Sequence, residues 1–169
     1  MNKLFLLFIL SVILNSCKQK EKVEKYDMNG RLIVYNEQVY VKMFMKNKNL
    51  NVTVIDTFCI NQKKRATNDI RKGKLIYFTS KGYTFKKMSV LLKKYGIEAR
   101  EFYGRCGRIG GFEPYCYENE MAIEIKKRFG EKFIDSLTEI AVKEFVMENP
   151  NEPWTEDGED LRKKYNTSH

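Results

Sequence analysis

An α+β fold is what this 169-residue sequence predicts: a small mixed β-sheet with a βαβ unit, covered by amphipathic helices, two of them C-terminal. Three observations predict it. The first half carries short runs rich in β-branched and aromatic residues. A strand–helix–strand pattern with short links runs from Lys74 to Tyr103. From Pro114 onward, apolar residues recur at three- and four-residue spacing.

Taken in order, residues 31–35 and 38–46 read as strands. The second, through Val39-Tyr40-Val41-Lys42-Met43-Phe44-Met45, alternates imperfectly. Asn51–Ile60 is another such run, with Val52, Val54 and Phe58 on alternate positions. The polar, basic stretch 61–73 fits either a short helix or an exposed loop. Lys74–Ser80 is a short apolar run, the mark of an interior strand. Thr84 is placed to cap the next helix with its hydroxyl. Phe85, Met88, Leu91, Leu92 and Tyr95 share one face of that helix, while Lys86, Lys87, Lys93 and Lys94 fall largely on the others. Gly96 suits a left-handed turn at its end, and Ile97–Tyr103 reads as a strand. Such a unit is expected to be parallel and right-handed; a split pairing, with a strand between the two, is equally allowed. Tyr117, Met121, Ile125 and Phe129 then recur every four residues. After Gly130, the residues Phe133, Leu137, Ile140, Ala141 and Phe145 form a second stripe. Both stripes read as core packing rather than as a cofactor box.

The N-terminus has a different pattern. Met1-Asn2-Lys3 precedes the uncharged run Leu4–Leu14, and one positive charge before a short apolar run is the layout of a signal peptide. As a helix the run would be about 16 Å long, half of a ~30 Å hydrocarbon core. It ends in Leu14-Asn15-Ser16-Cys17, which resembles the lipobox of bacterial lipoproteins. The resemblance covers residues 1–17 only. It implies removal of a signal peptide, residues 1–16, and acylation (palmitate among the chains) of Cys17 and of the new N-terminus. One buried chain binds marginally and two or more bind stably, at about 0.8 kcal/mol per CH₂. Lys18, standing where Asp would retain such a protein in the inner membrane, favours the outer membrane of the cell envelope. Residues 17–26 then read as a lipidated flexible tether. Residues 27–149 read as a single α+β domain and 150–169 as a polar acidic tail, entered through Asn149-Pro150-Asn151-Glu152-Pro153. Trp154 in that tail is expected to dock on its own domain. The globular part resembles no family of known activity.

Without residues 1–16 the chain carries 30 Lys+Arg (31 less Lys3) against 22 Asp+Glu, a net charge of +8. For an exported protein this favours the membrane reached through the anchor, with an anionic envelope ligand or protein partner as candidates, over nucleic acid. The charge is unevenly laid out. Lys63–Arg108 holds 14 basic and 3 acidic residues (net +11), and Glu113–Asp160 holds 14 acidic and 5 basic ones (net −9). Three readings are open: ordinary solvated charge, an acidic C-terminal part lying against the basic middle, and an anion-binding site. For an anion site the first candidate is the glycine-rich loop with Arg105, Gly107, Arg108 and Gly110. Exposed N–H groups and two guanidiniums suit an oxyanion.

Three cysteines remain after Cys17: Cys59, Cys106 and Cys116. An oxidising compartment permits disulfides. Cys106 and Cys116 flank the glycine-rich stretch 107–115, and a bridge between them is the favoured expectation, contributing roughly 3 kcal/mol in the chain-entropy model. A bridge from Cys59 to either one, or no bridge, stays open. The spacing is not C-x-x-C, which disfavours redox catalysis. Scattered cysteines without a nearby His match no zinc pattern, so neither metal nor cofactor is expected. The only histidine is the terminal His169, which disfavours Ser-His-Asp and Cys-His catalysis. Glu113, Glu118, Glu120 and Glu124 are the carboxylates available for acid–base work; favouring a helix N-terminus is the simpler role for Glu118 and Glu120. No catalytic residue is named. The expectation is a membrane-anchored envelope lipoprotein that serves as a non-enzymatic binding or structural module. Its rivals are an inhibitor or immunity-type protein that blocks a secreted enzyme, and a carboxylate-based envelope hydrolase.

Overall fold

The structure, a computed structural model, describes residues 25–80, 82, 84–104, 106–156 and 158–166. The signal peptide, Cys17, most of the tether, Arg105 and His169 lie outside the described residues. The fold is α+β, as expected. Strands are β1 (Leu32–Val34), β2 (Val52–Val54), β3 (Leu75–Thr79), β4 (Ile97–Glu101), β5 (Thr155–Glu156) and β6 (Glu159–Asp160). Helices are α1 (Glu37–Lys46), α2 (Thr57–Arg71), α3 (Phe85–Lys93), α4 (Cys116–Phe129), α5 (Phe133–Glu148) and α6 (Leu161–Asn166). No helix among the described residues is long and apolar enough to cross a membrane.

The chain divides into two compact units. Of the described residues, the smaller holds 25–33 together with Asn51–Thr53. Its centre is Asp27, whose carboxylate accepts from the Asn29 N–H (2.9 Å), the Arg31 N–H (2.8 Å), Arg31 Nε (2.8 Å) and Thr53 Oγ1 (2.6 Å). The Thr53 hydroxyl, with help from the Arg31 and Asn29 donors, holds the Asp27 carboxyl well below the usual carboxylate range.

The larger unit, Val34–Leu50 with Val54 onward, is built on β3 and β4. They pair in parallel, Leu75 opposite Ile97 through Thr79 opposite Glu101, and α3 makes the crossover. This is the expected βαβ unit without a strand between its members. Side chains on the two faces of β3 enter different clusters. Leu75 packs with Met88, Leu91 and Leu92 of α3, Ile97 of β4, Ile125 of α4, and Leu137 and Ala141 of α5. Ile76 packs with Ala66 of α2 and with Tyr117 and Met121 of α4. A strand covered on both faces needs apolar residues at consecutive positions, which is why Leu75-Ile76 shows no alternation.

Several elements differ from the sequence reading. Residues 38–46 form a helix, not a strand. The Asn36 side-chain oxygen accepts from the N–H groups of Gln38 (2.8 Å) and Val39 (3.3 Å), and Glu37 adds an acid to the first turn. The imperfect alternation there is helical spacing, with Tyr40 and Phe44 stacked at i, i+4 (centroids 6.0 Å). The run 51–60 is a strand only through Val54. Asp56 then caps α2, accepting from the Cys59 N–H at 3.0 Å, and α2 takes in most of the ambiguous stretch 61–73. Thr84 sits at the start of α3 but forms no side-chain cap bond. Within the polar acidic tail, β5 and β6 pair antiparallel, α6 packs on α5, and Leu161 is buried. Trp154 lies against Phe145 of its own unit, centroids 5.1 Å apart.

Part of the charge asymmetry is satisfied internally. Lys63 reaches Glu120 (3.4 Å), and Lys87 reaches Glu144 (3.8 Å) and Glu148. These pairs join the basic middle to the acidic C-terminal part, as one of the three charge readings expected.

Candidate functional site

The residues singled out by sequence converge on the loop between β4 and α4. Cys59 is the third residue of α2 and Cys116 the first of α4. These two helices pack side by side, so their starts approach and the two Cα atoms lie 5.3 Å apart, joined by a disulfide. The expected Cys106–Cys116 bridge is thus corrected to Cys59–Cys116, and Cys106 is exposed with a free thiol. Loop closure favours near neighbours in sequence, but helix packing decides which sulfurs meet. The bridge spans 57 residues. In the chain-entropy model such a loop contributes roughly 4 kcal/mol, more than the shorter one would. Glu113 places a carboxylate oxygen 3.4 Å from the Cys116 sulfur and 3.9 Å from that of Cys59. The three donors lie within 4.8 Å of one another; with the sulfurs bonded to each other, the group is a covalent cross-link with an acid beside it.

Arg108, proposed from sequence as an anion ligand, already holds anions of its own chain. Its Nε donates to Glu37 (2.7 Å) and its Nη1 to Asp56 (3.0 Å) and to the Glu113 carbonyl (3.3 Å). The guanidinium also lies over the rings of Phe58 (5.4 Å) and Phe112 (5.1 Å). Two backbone groups reinforce the clamp: the Ile109 N–H donates to Glu37 (3.3 Å) and the Glu113 N–H to Asp56 (2.9 Å). The loop is therefore pinned to the starts of α1 and α2, and the guanidinium is spent on that task. Asp56 and Glu37 were not picked out from sequence. The signal for Asp56 was present, since Asp before Thr57 at the head of a helix is a cap pattern.

The candidate glycines separate. Gly107 is exposed, with open space where a Cβ would point. Gly110 has φ +69°, and a Cβ there would overlap the Tyr40 ring, so only glycine lets the loop pass this close to α1. Its requirement is packing, not ligand approach. Arg105 lies outside the described residues.

A cleft of about 180 Å³ is lined by Ile76, Tyr77 and Phe78 of β3, by Phe102 and Tyr115 of the loop that follows β4, and by Glu118, Asn119 and Ala122 of α4. Phe102 and Tyr115 are in ring contact across 4.9 Å. Close by, the buried Tyr117 hydroxyl donates to Asp69 at 2.7 Å, and the Arg65 guanidinium lies 4.2 Å from the Tyr117 ring. Burial, with the Asp69 acceptor, pushes the Tyr117 phenol up to about 12. The Tyr117 hydrogen bond, aided by Lys74, Lys72 and Arg65, draws Asp69 down. No family model, no curated protein and no solved structure matches this chain. Its chemistry must be read from these side chains. The carboxyls of Asp27, Asp69 and Asp160 are all drawn downward, the direction of a paired anion.

Proposed function

We propose that this protein is a bacterial lipoprotein, held to the cell envelope by acyl chains on Cys17, that works as a non-enzymatic binding module. The observation that carries the proposal is the N-terminal sequence: Lys3, the apolar run Leu4–Leu14, and the lipobox-like Leu14-Asn15-Ser16-Cys17. The Cys59–Cys116 disulfide supports it, because such bridges persist in oxidising, exported compartments. Asp69 and Arg108, each paired within the chain, serve the fold rather than acid–base chemistry.

Intact mass of the protein taken from its native membrane tests the proposal. The expected result is loss of residues 1–16, added acyl mass, and two hydrogens fewer for one disulfide. A Cys17→Ser variant should leave the membrane fraction. Flotation equal to that of the parent would overturn the anchor.

A further inference from the structure

We propose that the outer face of α2 docks on the anionic phospholipid headgroups of the membrane that holds the anchor; the choice of membrane rests on the lipoprotein reading above. Ile60, Lys63, Lys64, Thr67, Asn68 and Arg71 line one open groove along α2, and all six are exposed. Their spacing of three and four residues places them on a single face. Three are cations and none is an acid. The two acids nearest in sequence are engaged elsewhere: Asp56 caps the helix and holds Arg108, and Asp69 takes the Tyr117 hydroxyl. Lys63 has Glu120 at 3.4 Å, whereas Arg71 donates to the neutral Asn68 at 3.2 Å. The face therefore keeps a net positive charge.

The glycine-rich loop makes the contrast. There the described arginine is neutralised by two carboxylates of its own chain, so it has little charge to offer a ligand. On α2 the Lys63 charge is shared with Glu120, while Arg71 meets only the neutral Asn68, and the face carries an Ile60 that is 44% exposed. Cations interleaved with an apolar side chain suit an interface of anionic headgroups and acyl boundary. Chain length argues for the same occupant. Seven residues separate Cys17 from Lys25. Even fully extended, that chain spans no more than about 28 Å. An acylated protein is thus kept beside a lipid surface at high effective concentration, where weak charge attraction suffices.

The test uses the mature chain from position 17 carrying Cys17→Ser, so that neither acylation nor the apolar run Leu4–Leu14 masks weaker binding. It is mixed with phosphatidylcholine vesicles or with vesicles containing phosphatidylglycerol, at low salt and at high salt. At roughly fivefold per basic residue, the expected preference for the anionic vesicles is well above tenfold, and high salt should shrink it. Lys63→Gln, Lys64→Gln and Arg71→Gln together should remove most of that preference. Lys86→Gln and Lys93→Gln on α3 with Lys94→Gln at its C-terminal cap, which delete equal charge, should leave most of it. No preference for anionic vesicles, or an equal loss from the α3 set, would overturn the proposal. The anchor is judged separately. If Cys17→Ser stays on its native membrane through a high-salt wash as fully as the parent does, the lipid anchor fails whatever the vesicles show.

Discussion

The segments β1–α1–β2 and β3–α3–β4 share one order of elements, yet the second buries Leu75, Ile76, Met88, Leu91, Leu92 and Ile97 while the first buries Val34 alone. Each fully buried aliphatic side chain contributes about 1.5–3 kcal/mol. Burial accounts for the second segment without further help. Helix α1 has no buried residue and draws on other contacts: the Asn36 cap, the Glu37–Arg108 pair, and Tyr40 fitted against Gly110, Phe44 and Phe112. The difference teaches that a short helix with little apolar burial can be fixed by polar clamps and a covalent cross-link at its neighbours.

The comparison can be broken or sharpened by experiment. The largest effect is expected from the cross-link. Cys59→Ala should cost roughly 4 kcal/mol in urea unfolding; a loss below about 1 kcal/mol would mean that the pinned region does not depend on it. Leu92→Ala, at a fully buried position of the second segment, should cost about 3 kcal/mol. Arg108→Met should cost about 2 kcal/mol, because it leaves Asp56, with a side chain only 9% exposed, without its cation. The double variant with Asp56→Asn should recover part of that loss, and additive costs would show that the two residues act independently.

A pH titration reads a pair at the packed centre. Asp69 is drawn down in the folded state, so its contribution is present above the ordinary carboxylate range and is lost as pH falls through its folded value. Tyr117 is raised, so its contribution is complete below pH 10 and lost as pH climbs through about 12. Absorbance near 295 nm should therefore show late-ionising tyrosines, the Tyr117 phenol and the Tyr77 phenol that burial also raises, and Asp69→Asn should bring only the Tyr117 step lower. The smallest effect is expected at Val39 of α1, which is 49% exposed. Val39→Ala should stay within about 0.5 kcal/mol, and a cost like that of Leu92→Ala would erase the contrast between the segments.

Legibility in the sequence followed the same division. The β3–α3–β4 unit, α4 and α5 were readable because burial imposes a pattern: consecutive apolar residues for a strand covered on both faces, and three- and four-residue spacing for the helices. Helix α1 was misread as a strand although Tyr40 and Phe44 stand at helical spacing; its β-branched and aromatic residues favour a strand, and the Asn36 cap with the Glu37 that follows it favours the helix instead. The fold class, the central parallel unit and the docking of Trp154 were within reach of sequence. The loop cluster was half legible. Cys116, Arg108 and Gly110 were picked out, but their partners Cys59, Asp56, Glu37 and Tyr40 lie 57, 52, 71 and 70 positions away.

By itself the chain of residues determined the local matters: where helices and strands could form, which faces were apolar, how charge was distributed, and the lipobox-like pattern before Cys17. Only tertiary structure decided which sulfur met which, and whether Arg108 served a ligand or its own fold. Local pattern is set by backbone sterics and apolar periodicity over a few residues. Pairing depends on which helix starts the packed core brings within reach, and no spacing along the chain encodes that.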